Sequence, residues 1–476
     1  MMASAGGGGN HWILRYNFED TGSNDQNTYA AGMIIINDVL YSQTYSDEVP
    51  DPSDERGPMI VEIDVDGNIN DQLIYYDNTS PNQQMWPSAI SKTTDGTKIL
   101  STGIHQYQGN TNRVGYLAQI DVSTFSLDWF SKLPAGTATI ATVYAFAAGD
   151  GGSNVFTVQN YRAAGTYRAT IDVLKSSDGT RQSTVWAGTP REVYVGGANG
   201  FVNNVVYDDV NDYIIATGNA FGSGGLGGYE AWQFAVDTNI TGSPSLAWKR
   251  SQSYSSSTDD SNTLFVDGSQ NVYTAVKGSN RSWIRKRNSS GTVQWTANIS
   301  PNSPTPASTG STPNVTTADS ITVDGSGNVY VAGYRVDGTG ASTDRCIFIQ
   351  KYNSSGTFQW AITIKHNNGY NPSAFATGHG LVLSSDDSTL FYQSSFYNST
   401  EGIFQPVVIS YPTDGSITGT YGDWTITSYT YTADSGSLGD NSGAGITISA
   451  RSITRDTASM NDTNSATVNV IEKQDL

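Results

Sequence analysis

The sequence predicts an all-β fold: a seven-bladed β-propeller of four-stranded antiparallel blades, followed by an extended C-terminal β-arm. Three observations carry it. The chain has 50 Gly but only 15 Pro, is rich in Ser, Thr, Asn and Tyr, and has no long window of apolar residues at helical spacing, which favours strands broken by frequent turns. One stretch reads as a complete blade: residues 320–324 and 328–334 flank the turn Asp324-Gly325-Ser326-Gly327, and residues 346–352 and 357–364 flank Ser354-Ser355-Gly356. Each run alternates apolar or β-branched residues, and Gly sits where a hairpin needs positive φ. The signals also repeat. First-hairpin turns fall near Asp38, Asp95, Gly151, Val210, Gly268, Gly325 and Asp386, a period of about 58 residues and the mark of stacked repeats.

Taken in order, residues 1–10 form a flexible Gly-rich leader, and residues 11–432 form the ring. An extra strand at 11–18 is followed by blades at about 31–77, 87–133, 140–188, 200–251, 261–299, 318–364 and 378–428. Tryptophans open the fourth strands at Trp129, Trp186, Trp248, Trp295, Trp360 and Trp424, while blade one has Leu73-Ile74 at the matching place. A regular aromatic series points to packing between neighbouring blades, where a large ring buries most area. His11-Trp12-Ile13 fits the same fourth-strand pattern two periods before Trp129. A strand from one terminus can complete the blade made by the other, but blade seven already has Trp424, so the sequence leaves open which strand closes the ring. Residues 433–476 hold no tryptophan and are dominated by Ser, Thr, Asp, Asn and Gly. Two alternating runs, with Ile446 and Ile448 and with Val468 and Val470, suit strands added to a partner better than a mobile tail.

The net charge of −19 argues against nucleic acid and anionic lipid as partners. No run of apolar residues is long enough to span a membrane, and the start Met1-Met2-Ala3-Ser4-Ala5 is not read as a secretory signal. The single cysteine, Cys346, excludes an internal disulfide framework and reads as a small core residue in a strand.

Few motifs carry chemistry. Asp64, Asp66 and Asn68 resemble half of a calcium loop, but Tyr75 stands where the bidentate Glu is needed, so a β-turn with solvated carboxylates is favoured over a Ca2+ site. The Asp324–Asn328 and Asp267–Asn271 turns read as Asx turns for the same reason. Ser177-Asp178-Gly179-Thr180 resembles the aspartate box of sialidases, with Trp186 too far along and no arginine trio recognisable elsewhere. His11, His105, His366 and His379 show no ligand spacing for zinc. No nucleophile elbow or phosphate loop occurs, so no catalytic residue is assigned and the expectation is a protein that is not an enzyme. Arg281, Trp283, Arg285 and Arg287 share one face of a strand. A solvated outer row is the favoured reading. The alternative is an interface, either salt-bridged to an acidic neighbour or an anionic glycan contact with Trp283 as stacking plate.

Residues 323–334, V-D-G-S-G-N-V-Y-V-A-G-Y, and 351–360, K-Y-N-S-S-G-T-F-Q-W, resemble the bacterial β-propeller repeat. Weaker copies lie at 266–276 and 286–295. The Gly-rich start running into His11-Trp12 and the Thr/Ser/Asp-rich tail are similar to structural proteins of marine tailed phages such as cyanophages. That resemblance implies a virion component of the tail, fibre, baseplate or decoration type, made in the host cytoplasm. It would assemble in many copies with other virion proteins through its arm and touch host-surface glycan. The competing expectation is a bacterial surface or secreted propeller that binds or hydrolyses polysaccharide.

Overall fold

In a computed structural model of the chain, residues 11–476 are described except for 20–26, 47–56, 77–82, 108–112, 134–140, 164–165, 189, 196–199, 222–228, 240–243, 253–259, 262, 278–281, 300–315, 337–344, 368–370, 373–379, 399–401, 430–437, 441–445, 451–460 and 464–466. Seven antiparallel sheets correspond to the seven expected repeats. Blades one to six span 28–76, 83–133, 141–195, 200–252, 260–298 and 316–366, and blade seven draws its first three strands from 371–412. The first strands of neighbouring blades meet around the axis. Five of them bulge near the same position, at Ala30/Gly32, Pro87/Ala89, Thr142/Tyr144, Val202/Asn204 and Ala318/Ser320. A bulge steepens the local twist.

The ring closes on Trp12–Glu19. This strand takes the fourth place in blade seven, with Ile13 opposite Ile409 and Leu14 opposite Val408. Trp424 is therefore not in blade seven. After the turn at 412–416 the chain crosses outward, and Trp424–Ser428 pairs with the fourth strand of blade six, His366 opposite Trp424. Both tryptophan strands have a place, one closing the ring and one lining its rim. Blade three differs in a second way. Trp186 sits in a 3-10 turn, Val185–Gly188, and the fourth strand is Arg191–Val195 instead.

The tryptophan series packs between blades, as its regularity predicts. Five of the rings lie on the turn that follows the third strand of the next blade, where a glycine takes positive φ. Trp12 meets Gly67, Trp129 meets Gly179, Trp248 meets Gly291, Trp295 meets Gly356 and Trp360 meets Gly415. Trp12 Nε1 donates to Val65 O at 2.9 Å and Trp129 Nε1 to Ser176 O at 2.8 Å. Where blade one lacks the tryptophan, blade two fills the gap from its own turn. Phe125, at φ 45°, lies 5.7 Å from Tyr41. The glycines are required twice over: at Gly356 φ is +81° and a Cβ would approach the Trp295 ring to 2.7 Å. Gly356→Ala should thus cost about 2 kcal/mol through backbone strain and overpacking, read as a lowered urea midpoint. Alanine at Gly268, where φ is not positive and a Cβ meets nothing within 4 Å, should leave the midpoint nearly unchanged.

A hydrogen bond crosses every junction between blades, buried at six of them and part-buried between blades six and seven. Gln393 reaches Ser42 at 2.6 Å, Gln43 reaches Ser101, Thr102 reaches Ala145 O at 2.7 Å, and Asn160 brackets Val202 N and O at 2.7 and 2.5 Å. Thr217 meets Ser261 at 2.7 Å, Tyr352 donates to Asn298 O at 3.0 Å, and Tyr392 to Asp319 at 3.2 Å. These groups explain the many buried Ser, Thr, Asn and Gln side chains in so Leu-poor a protein.

The C-terminal segment adds its strands to the chain's own blades. Leu438 and Asp440 pack at blade five, Ile446–Ala450 extends blade three, Asn461–Thr463 extends blade one and Thr467–Asp475 extends blade seven. In backbone register Ile446 and Ile448 pair with Val195 and Val193, and Val468 and Val470 with Phe18 and Tyr16. From Trp424 onward the chain visits blades six, five, three, one and seven. It is a belt laid on the rim, wound against the order of the blades.

Candidate binding face

The two faces of the ring are built differently. One carries the turns between first and second and between third and fourth strands. Their carboxylates and amides are spent locally. Asp324 accepts from Ser326 N, Asn328 N and Nδ2 and the Tyr330 hydroxyl at 2.8–3.0 Å, and Asp267 repeats this with Asn271 and Tyr273. Asp64 accepts from Asn68 N and Nδ2 at 2.8 and 2.9 Å. The Asp64, Asp66, Asn68 loop is thus closed by an Asx turn in which Asn68 takes the Asp64 carboxylate. Among the described residues no three His, Cys, Asp or Glu side chains gather as a metal cluster. The box at 177–180 is a turn of the same kind. Asp178 accepts from Thr180 N and Oγ1 at 2.9 and 2.6 Å, and these bonds hold its carboxyl below the usual range. Its Gly179 carries the Trp129 ring of the preceding blade rather than Trp186.

The opposite face receives the long connections, and the strand ends beside them carry half-buried aromatics. At the seam of blades one and seven, Tyr29 stacks on Tyr45 (ring centroids 4.7 Å) and tilts against Phe404 (4.8 Å), which in turn meets Tyr397 (4.8 Å). Asn27 fixes this corner by accepting from Phe404 N at 2.9 Å. On blade two the Arg113 guanidinium lies 5.4 Å from the Trp86 ring and donates to Gln106 at 2.9 Å. On blade six Arg345 lies 5.9 Å from Tyr334. Apolar ring faces beside guanidiniums and amides form a surface suited to stacking and hydrogen bonding at once. The sequence reading missed these residues. The available signal was an aromatic placed at the end of a strand that adjoins a long connection.

The basic row stands elsewhere. Arg281 lies outside the described residues. Trp283, Arg285 and Arg287, in the third strand of blade five (Ser282–Arg287), are all buried at the junction with blade four. The row is therefore neither solvated nor an open stacking plate. Leu438 caps Trp283, Ala231 and Val276. Arg287 pairs with Asp440 at 2.5 Å and Arg285 with the same carboxylate at 3.3 Å. Burial lowers the Arg285 guanidinium to about 10, with Arg287 adding to the shift and Asp440 opposing it. The acidic neighbour allowed by the sequence exists, and it is this chain's own tail.

The remaining single residues are structural. Cys346 is buried in a strand of blade six, as its sequence context predicts. His379 lies outside the described residues, His105 is buried in blade two, and His11 Nδ1 meets Ser410 Oγ at 3.4 Å. His366 packs edge-on to Trp424, centroids 4.7 Å apart. Burial, helped by Arg15 and opposed by Asp423, lowers its pKa from 6.5 to about 4. The folded state holds this imidazole neutral, so its contribution is complete above about pH 6.5 and is lost as pH falls from there to about 4. Between pH 7.5 and 4.5 the urea midpoint should fall further for the wild type than for His366→Gln.

No protein-family model and no curated protein matches this chain. Among solved structures, a trans-sialidase-active mutant of Trypanosoma rangeli sialidase aligns with a TM-score of 0.41 and 9% identity, over 84% of this chain and 58% of that one. NanB sialidase from Streptococcus pneumoniae gives 0.42 and 10%, over 83% and 70%. Porphyromonas gingivalis dipeptidyl peptidase 4 gives 0.39 and 8%, over 81% and 59%. The chain spans little more than half of the length of the trypanosomal enzyme, and at these scores none of the three decides what it does. What is established is the architecture, a seven-bladed all-β propeller with its C-terminal segment on the rim.

Proposed function

We propose that this protein is a non-enzymatic display ring, a structural component of a phage virion that presents its loop face to a host-surface glycan. The observation that carries the reading is the half-buried aromatic set on that face, Tyr29, Tyr45, Tyr397 and Phe404 with the Trp86–Arg113 pair. The opposite face consumes its polar groups in its own turns. The virion setting rests on the sequence resemblance of the repeat and of the two ends, and the rim belt suits a part that must survive outside a cell.

The test is binding of the purified chain to a panel of envelope polysaccharides, with Tyr29→Ala and Trp86→Ala. Each substitution should weaken binding about tenfold, the equivalent of about 1.4 kcal/mol for one lost stacking contact. Binding that ignores both changes overturns the assignment of the face. Release of new reducing ends, abolished by changing a pair of carboxylates, would instead establish the polysaccharide-cleaving reading.

A further inference from the structure

We propose that the loop face at the junction of blades two and three is the subsite for an acidic sugar, with Arg113 as the guanidinium that grips its carboxylate or sulfate. The inference rests on the display reading above and names the class of glycan. The site is a row across three strands of blade two, in which Gln84 stands opposite Gln106 and Gln106 opposite Arg113. Directly opposed residues share one side of a sheet, and Trp86, at i+2 from Gln84, shares it too. That side looks toward blade three. Thr102, on the same side as Gln106, donates to Ala145 O, and Leu117, on the same side as Arg113, packs with Ala145 and Ala147.

The guanidinium is oriented but not neutralised. Its Nε donates to Gln106 Oε1 at 2.9 Å, and its carbon lies 5.4 Å from the centroid of the Trp86 ring. The Nη1 and Nη2 edge meets no carboxylate among the described residues, although the chain holds 44 Asp and Glu against 25 Lys and Arg. Elsewhere that excess finds its partners: Lys98, Arg168, Arg181, Arg285 and Arg287 each pair with a carboxylate. Arg113 is exposed, and Gln84, Trp86 and Gln106 are half-buried around it. A fork of N–H donors beside an indole suits a pyranose with an anionic substituent, the sugar lying at the ring and its two acidic oxygens accepting from the fork.

The connections at this junction add no opposing charge. Residues 108–112 join the second and third strands of blade two, 134–140 lead from blade two to blade three, and 164–165 join the second and third strands of blade three. None of them contains a charged residue. The connection into blade two, 77–82, has a single carboxylate, Asp77, at its blade-one end. By contrast, the matching connection of blade one carries Asp47, Glu48, Asp51, Asp54 and Glu55, and Arg345 on blade six adjoins Asp344. In a chain of net charge −19, an anion arriving beside Arg113 meets less repulsion than one arriving at blade one.

The experiment titrates the full chain with polygalacturonate and with the same polymer after carboxyl reduction, and with dextran sulfate and dextran, which separates carboxylate from sulfate. At least one acidic polymer should bind about tenfold tighter than its neutral counterpart, and Arg113→Gln should remove about that much affinity. Arg113→Lys keeps the charge and loses the fork, so it should restore only part of the binding. Lys175→Gln takes one positive charge from the turn face and should leave binding unchanged. Equal binding of acidic and neutral polymers, or a loss in Lys175→Gln as large as in Arg113→Gln, overturns the proposal. The envelope polysaccharide panel keeps the two readings separable. A chain that binds only uncharged members of the panel loses the acidic subsite and keeps the display role, whereas one that binds nothing loses both.

Discussion

Asp440→Ala is expected to lower stability by about 3–5 kcal/mol, because it strands two buried guanidiniums with no other carboxylate partner among the described residues. Arg287 has no exposed surface and Arg285 only 2%, so water cannot take over the role of the carboxylate. The measurement is the urea midpoint at unchanged slope, which separates a stability change from a change in the unfolded state. The double variant Arg287→Met, Asp440→Leu should recover most of the loss, since removing both charges also removes their desolvation cost. A fully stable Asp440→Ala protein would mean that the tail leaves the cleft without consequence.

Trp12→Ala should cost a similar amount, about 3–5 kcal/mol, as expected for a fully buried tryptophan. The ring is 0% exposed, lies on Gly67 of blade one, donates to Val65 O and tilts against Phe391 at 6.1 Å. It acts where the ring is joined, so the loss should appear in proteolysis as early cutting near blades one and seven. Trp295→Ala removes the same contact from an internal junction, but that ring is only half-buried and its loss should cost about 2 kcal/mol. Equal effects at both positions would argue that the seam has no special weight.

The repeat was legible because its signals are local. An Asx turn, a strand of alternating residues and a tryptophan that needs a glycine opposite each lie within one period of about 58 residues. Which strand closes the ring was not legible, since Trp12 and Trp424 have equally good local patterns and only their distant partners, the third strand of blade seven and the fourth strand of blade six, decide between them. The basic row shows the same limit. Arg285 and Arg287 look solvated to any local reading, because the residues that bury them come about 150 positions later. Ile446, Ile448, Val468 and Val470 announced strands correctly. Which edges they would join depends on the geometry of the rim, which no short stretch encodes.

The seam has a consequence for synthesis. The strand Trp12–Glu19 is held between Ile403–Pro412 on one side and Thr467–Asp475 on the other, and Leu476 N donates to His11 O at 2.8 Å. This strand therefore waits for partners that begin at residues 403 and 467, while local hairpins between them can form as they emerge. A nascent chain stopped before residue 403 has blades but no seam. One stopped between 412 and 467 has a ring whose joining strand is bare along one edge. Products that stop short of either partner should be recognisable to cellular proteases by that open edge.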